Sequence, residues 1–332
     1  MATEVNNLNT TVLALKGLAE PTRLRMLALL SHGELTVGEL CRVLGQSQPR
    51  VSRHLRLLTE AGFLDRFREK QSVYYRTPAV RASTVGDSPS ASSRSAAAPG
   101  GAHLAWLRPL LDNVAPDDPA IRRDRVRLAV VMDDRTRLAV TALVEEHPLD
   151  YSAPVMESVE LGEVLWEELG PTSLGALLDL GTGMGRMLEL LAPGASHAVG
   201  IDISAPSLRL ARTRVHGLGL AHCEFHCHDM YALPFEARRF DTLTIDRVLA
   251  GAERPEAVLA EAARVLRSGG RLLVVERFED IEICTGVNPL RQMRQWLEGA
   301  GLRLMRLRPC DLMSGHHLIA LAERPAAAQS IR

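Results

Sequence analysis

Lysine is nearly missing from this chain: Lys16 and Lys70 are the only two among 332 residues, and arginine carries the remaining positive charge. That bias reflects genomic base composition and has no functional weight. Long apolar runs are missing too. None approaches the roughly 20 residues that a bilayer-spanning helix needs. Cysteine is sparse, and Cys41, Cys223, Cys227, Cys284 and Cys310 form an odd, scattered set. Such a set does not build a disulfide framework and fits a reducing cytoplasm. Met1 to Thr10 is polar and acidic, without the pattern of a secretory signal. Internal repeats are absent.

What remains is an ordinary globular composition, 46% hydrophobic, long enough for two domains. The net charge of −1 conceals an asymmetry. Basic residues outnumber acids up to Arg76, and the rest of the chain is net acidic. A basic front and an acidic rear predict that only the front meets nucleic acid.

The apolar spacing from Leu13 to Leu30 is helical, with Pro21 opening a second helix and Gly33 as its C-cap. Thr36-Val37-Gly38-Glu39 reads as a capping box for a short helix that stops at Gly45. Ser47 can cap a further helix, with Pro49 in its first turn and Val51, Leu55 and Leu58 as its buried stripe. Residues 63–67 and 72–76 read as two strands around the charged turn Arg68-Glu69-Lys70-Gln71. The expected organisation is a DNA-binding domain over 1–80, a Ser/Ala/Pro/Gly-rich flexible linker over 81–102, a helical connector with possible dimerisation helices over 103–150, an α/β domain over 151–323, and a frayed tail over 324–332. In the rear, strands at 176–180, 198–203, 224–228, 242–246, 271–276, 303–308 and 317–322 alternate with helices. A mostly parallel sheet of seven strands with helices on both faces is the expected fold.

The third helix of the front half leaves Ser47, Gln48, Arg50, Ser52, Arg53 and Arg56 at its N-terminal end or outer side. Arginine can bridge guanine O6 and N7, and glutamine adenine N6 and N7. Arg66, Arg68 and Lys70 on the hairpin can follow flanking phosphates. A solvated basic helix is the bland alternative; the order of helices and wing favours DNA. Leu-Ala-Glu-Pro-Thr-Arg-Leu at 18–24, Val51-Ser52-Arg53-His54-Leu55, Ala61-Gly62 and Tyr74-Tyr75 closely resemble the ArsR-type winged-helix repressors. The resemblance spans about Leu13 to Thr77. It implies a homodimer that reads palindromic operator DNA and releases it when an effector binds. Thr36 and Gly38 stand where the metal-sensing members carry two cysteines, so a thiolate metal site is not expected there. His54 is expected to pack or to contact phosphate.

In the rear half, Leu177-Leu178-Asp179 ends a strand and Gly181-Thr182-Gly183-Met184-Gly185 opens the next helix. Glycines let a backbone approach a ligand closely. The spacing is tighter than that of the dinucleotide fingerprint. A carboxylate two residues ahead suits a cationic ligand better than a diphosphate. Asp202, followed by Ile203, can accept from ribose hydroxyls, and Asp229 beside Met230 can meet an adenine amino group. Each acid alone could be a turn former; together they form a constellation. With Leu233-Pro234-Phe235, Phe240-Asp241 and the run from Glu261 to Arg271, residues 161–323 resemble a class I methyltransferase domain dependent on S-adenosylmethionine. The resemblance implies S-adenosylmethionine or S-adenosylhomocysteine as cofactor, Asp179 near its methionine end, Asp202 on ribose, Asp229 and Met230 on adenine, and Asp246 on the methyl-donor side.

Catalysis is less legible. Ile245-Asp246-Arg247-Val248-Leu249 lacks the signature of nucleic-acid amino methyltransferases. Residues 151–166 offer little aromatic surface to close a pocket. Glu276-Arg277-Phe278-Glu279-Asp280 has no histidine near it in sequence. His222, Cys223, Glu224, His226, Cys227 and His228 invite a metal reading, but strand alternation sends the cysteines and histidines to opposite faces, so packed cysteines and no metal are expected. The expected function is a cytoplasmic, dimeric transcription repressor that senses S-adenosylmethionine or S-adenosylhomocysteine. The alternatives are an active small-molecule methyltransferase with an autoregulatory DNA module, and an interaction protein with a relict fold.

Overall fold

The computed structural model describes residues 8–78, 107, 109–114, 117–146, 155–313 and 315–326. The anticipated linker over 81–102 lies outside them, as do Trp106 and Tyr151. The chain divides into two compact units between Leu138 and Ala139.

The first unit opens with helices α1 (Leu8–Leu18) and α2 (Pro21–Leu30). The Glu20 side chain accepts the Arg23 N–H at 2.9 Å and caps α2, with Pro21 in its first turn. The helix ends on Ser31, so Gly33 is not its C-cap; Gly33 (φ 151°) serves the turn beyond. A strand that the sequence did not reveal, β1 (Leu35–Thr36), precedes α3 (Val37–Leu44). The capping box of α3 is present in full: Thr36 Oγ1 accepts from Glu39 N, and a Glu39 carboxylate oxygen accepts from Thr36 N at 2.7 Å. Gly45 closes the helix in the left-handed region.

Helix α4 (Gln48–Glu60) buries Val51, Leu55 and Leu58. Ser47 stands at its N-cap position but makes no side-chain cap bond, contrary to expectation; Pro49 fixes the first turn instead. Strands β2 (Asp65–Glu69) and β3 (Ser72–Arg76) form the hairpin. Its turn is tighter than the sequence suggested. Arg68 and Glu69 belong to β2, paired with Val73 and Ser72, and Lys70 turns the chain at φ 49°. The three strands order as β1-β3-β2.

Helix α5 (Pro119–Glu146) reaches the dividing point from the first unit. Its earlier residues are tied to the winged helix-turn-helix by polar contacts. Arg25 donates to both Asp124 oxygens at 2.7 and 2.6 Å, Arg42 pairs with Asp134, and Arg135 donates twice to Glu39 at 2.6 Å. Val131 joins the core formed by Met26, Leu27, Leu40, Val51, Leu55 and Phe63.

The second unit contains α6 (Val155–Leu169) and a seven-stranded sheet. The strands are β4 (Gly175–Leu180), β5 (Ala195–Asp202), β6 (Cys223–Cys227), β7 (Phe240–Asp246), β8 (Leu266–Arg277), β9 (Arg303–Leu312) and β10 (Gly315–Glu323). Their order is β6-β5-β4-β7-β8-β10-β9, parallel except where β10 runs against both neighbours. All seven anticipated strands are present, and the chain is α/β as expected. Helices α7 (Arg186–Leu191), α8 (Ala205–Gly217), α9 (Pro255–Val265), α10 (Phe278–Thr285) and α11 (Pro289–Gly299) connect them. The crossover helices pack on both faces of the sheet. Two apolar layers result, one around Leu243, Ile245, Leu259 and Trp296, the other around Leu177, Leu188, Leu208 and Phe225. The chain fills β4, β5 and β6 outward in one direction, then returns to place β7 beside β4. The crevice at the carboxyl ends of β4, β5 and β7 is therefore a topological switch point, where open α/β sheets bind ligands.

Candidate functional site

At the switch point, Gly181, Gly183 and Gly185 have φ of 68°, 53° and 90°. Only glycine adopts this region without strain. A Cβ on Gly181 would lie 2.3 Å from Val248, and one on Gly185 would lie 2.9 Å from Val215. A Cβ on Gly183 would meet nothing nearer than the Gly181 carbonyl at 4.0 Å, so this part of the loop faces open space. The outer two glycines let the backbone pack against the protein, and the middle one leaves room for a ligand.

Asp179 lies one residue inside the end of β4 and is 1% exposed. One carboxylate oxygen accepts from the Thr244 hydroxyl at 2.7 Å. The other is buried and has no hydrogen-bond partner among the described residues, nor has the Thr182 hydroxyl. Burial pushes the Asp179 carboxyl up to about 7; the Thr244 hydroxyl opposes the shift, and Asp246 and Asp202 add to it. Asp202 ends β5. Its oxygens accept from Gly183 N and Ser204 N, each at 2.8 Å, and burial raises its pKa too. Each oxygen keeps a second lone pair for a hydroxyl. Ile203 beside it is an apolar side chain left 70% exposed.

Asp246 ends β7 and is held by Arg186, the first residue of α7, through contacts of 2.7–3.0 Å to both oxygens. Sixty residues separate the two, so no local spacing pointed to that partner. Asp229 lies two residues beyond β6, exposed, and accepts from Tyr231 N at 2.9 Å, so it shapes a turn and does not end a strand. Met230 is half-buried against the core.

Glu276 was not among the anticipated site residues. It is fully buried near the end of β8, where one oxygen accepts from Val248 N and Leu249 N at 2.9 and 2.6 Å. The other oxygen has no hydrogen-bond partner among the described residues. Burial lifts its carboxyl to about 7. Buried His317 on β10 pairs in register with Arg277, whereas Leu318 is the residue opposite Glu276, so strand alternation places His317 and Glu276 on opposite faces of the sheet. On edge strand β6, Cys223 and Phe225 are buried while Glu224 and His226 lie on the other face, 3.4 Å apart.

In the first unit, Ser47 at the N-cap of α4, Gln48, Arg50, Ser52, Arg53 and Arg56 on α4, and Arg66, Arg68 and Lys70 on the hairpin are all exposed. A cavity of about 530 Å³ is lined by Arg23, Pro49, Arg50, Arg53, His54 and Leu57. Half-buried His54 is 3.7 Å from Glu20, and burial lowers its pKa, with Arg23, Arg50 and Arg53 acting in the same direction. The surface is built to attract an anion.

Two families match the chain. Residues 20–66 match "Bacterial regulatory protein, arsR family", and residues 178–274 match "Methyltransferase domain". The "Arsenical resistance operon repressor" of Escherichia coli is 52% identical over 62 residues, which is 18% of this chain and 53% of that protein. The "Ubiquinone/menaquinone biosynthesis C-methyltransferase UbiE" of a Ruegeria species is 35% identical over 117 residues, 34% of this chain and 47% of that protein. The chain thus spans about half the length of each of these relatives. Among solved structures, the putative methyltransferase in complex with the Haloferax volcanii Trm112 activator is 16% identical, with a TM-score of 0.47, covering 60% of this chain and 99% of that one. S-adenosylmethionine or S-adenosylhomocysteine is the ligand class of such a domain, and the open Gly183 and the unpartnered buried oxygen of Asp179 fit it. The chain joins an arsR-type winged helix-turn-helix to a class I methyltransferase-type domain.

Proposed function

We propose that this protein is a dimeric, cytoplasmic transcription repressor whose methyltransferase-like domain senses S-adenosylmethionine or S-adenosylhomocysteine. Nine exposed side chains on α4 and the hairpin supply a duplex-reading surface. In this reading Gln48, Arg50 and Arg53 meet base edges, and Arg66, Arg68 and Lys70 meet phosphates. At the nucleoside site, Asp179 faces the ligand's cationic end and Asp202 accepts from ribose. Ile203 and Met230 cover the base, and Asp229 receives its amino group. Asp246 borders the donor side.

The observation that carries the reading is the unpartnered, buried Asp179 oxygen next to an open glycine turn, on a chain that also presents an exposed basic helix. In this reading the signal passes along α5, which crosses the division between the units. Its last turns pack Ala139 and Leu143 against Leu210 and Met184, and Met184 belongs to the glycine turn. Earlier residues of the same helix are bonded to the winged helix-turn-helix through Asp124, Asp134 and Arg135. A ligand shifts DNA affinity only by its differential affinity for two arrangements. The test is an electrophoretic shift on the chain's own promoter, titrated with each nucleoside. Asp202→Ala is expected to lose the nucleoside response by tenfold or more in midpoint and to keep ligand-free DNA affinity. A normal response in that variant overturns the pocket assignment.

Glu276 favours a second reading, in which the domain also transfers a methyl group to a small molecule. The bound donor would supply the methyl group. Glu276, held by Val248 and Leu249 with its pKa near 7, has a free oxygen that could take a proton from an acceptor at neutral pH. Transfer of labelled methyl to an extract component, lost in Glu276→Gln, is the outcome expected of this reading.

A further inference from the structure

Helix α5 has two faces. Asp124, Val131, Arg135, Ala139 and Leu143 are buried on one. The opposite face carries Val126, Val130, Asp133, Arg137, Val140 and Val144, all exposed; the valines are 68%, 57%, 36% and 48% exposed in that order. The steps between them are four, three, four, three and four residues. That is the spacing of a seam at which two helices pack, here about 27 Å long. Exposed valines repeating at this spacing on either side of one charged pair are not scattered surface apolars; an aligned apolar row of this kind marks an interface.

The stripe is also its own mirror in chain direction. Val126 and Val144 are equally far from residue 135, as are Val130 and Val140, and as are Asp133 and Arg137. Resting on the dimeric reading above, we infer that α5 pairs with α5 of a second copy in antiparallel register centred on residue 135. Val126 then packs on the partner's Val144, and Val130 on the partner's Val140. Asp133 meets the partner's Arg137, and Arg137 meets the partner's Asp133. A two-fold interface requires this relation: residue i contacts j, and j contacts i. Within one chain, Arg137 already lies 3.4 Å from Asp133 and also pairs with Asp134, while remaining 69% exposed. The dimer would share the same charge pairing between copies. A parallel pair would instead set Asp133 against Asp133 and Arg137 against Arg137, which like-charge repulsion opposes. The register also excludes a one-heptad slip, which would put a charge against valine.

The test uses the full chain. Val126→Cys and Val144→Cys chains are co-expressed, oxidised, and their bonds assigned by peptide mass spectrometry, which reads native cysteines apart. Bonds between 126 of one copy and 144 of the other are expected. Bonds of 126 to 126, or no bond at either position in a protein that sediments as a dimer, overturn the register and leave the dimeric reading standing. A wild-type chain that sediments as a monomer at micromolar concentration overturns both. In parallel, Asp133→Arg is expected to raise the dimer dissociation constant at least tenfold, and Asp133→Arg combined with Arg137→Asp to bring it back within threefold of wild type. An unchanged constant in the single variant also overturns the register. Because both positions are exposed, circular dichroism should show these variants folded.

Discussion

At the scale of single residues, burial decides what the acids can do. Asp179 has an ordinary pKa of 3.8, raised to about 7 by desolvation in the folded chain. The folded state therefore holds a proton that the unfolded state releases. Its contribution to stability is fully present below about pH 4 and is lost as pH rises through about 7. Glu276 acts in the same direction and window. Asp179→Asn is expected to raise the ligand-free melting temperature at pH 8 by about 2–4 °C relative to wild type, with the difference shrinking as pH falls and smallest near pH 4. Ligand binding runs the other way. A cationic nucleoside needs the ionised carboxylate, so affinity for S-adenosylmethionine should rise about tenfold between pH 6 and pH 8 in wild type and stay flat in the variant. Calorimetry at the two pH values checks this; equal wild-type affinities at both would remove Asp179 from the ligand's cationic end.

At the scale of elements, local chemistry was written in the sequence and distant pairing was not. Thr36 and Glu39 announced a capping box because the bonds span three residues. The glycine turn announced itself because positive φ selects glycine. The partners of those same groups could not be read in advance. Glu39 is also bonded to Arg135, 96 residues away, and Asp246 to Arg186, 60 residues away. Strand β1 was missed because two residues carry no periodicity. His317 met Arg277 only through an antiparallel return. The two kinds of contact should differ in cost. Thr36→Ala removes one cap bond and is expected to cost about 1 kcal/mol. Glu39→Ala leaves Arg135, 6% exposed, as a buried cation without its carboxylate, and should cost about 3–5 kcal/mol. Urea denaturation of the three proteins gives the order. Equal losses would mean that the capping box alone fixes α3 and that α5 adds nothing.

At the scale of the whole molecule, charge divides the labour along the chain. Positive residues outnumber acids in the front 76 positions, and the carboxylates of the proposed nucleoside site fall in the rear. The front half then separates further, because a helix and a hairpin present arginine differently. Arg53 stands on the exposed side of α4, where a guanidinium can address a base edge. Lys70 stands at the hairpin turn, exposed, where a point charge can address a phosphate and carries no base information. Salt and sequence should therefore separate the two. Arg53→Ala is expected to weaken operator binding by about 1–3 kcal/mol and to narrow the gap between operator and random duplex. Lys70→Ala should weaken binding to both duplexes alike, and reduce the slope of log affinity against log salt by about 1. Fluorescence anisotropy over a range of salt concentrations, with operator and scrambled DNA, measures all four quantities. If Arg53→Ala left the gap intact and Lys70→Ala closed it, the hairpin and not α4 would be the reader. The charge division would then mark only where DNA sits, not which part of the chain reads its sequence.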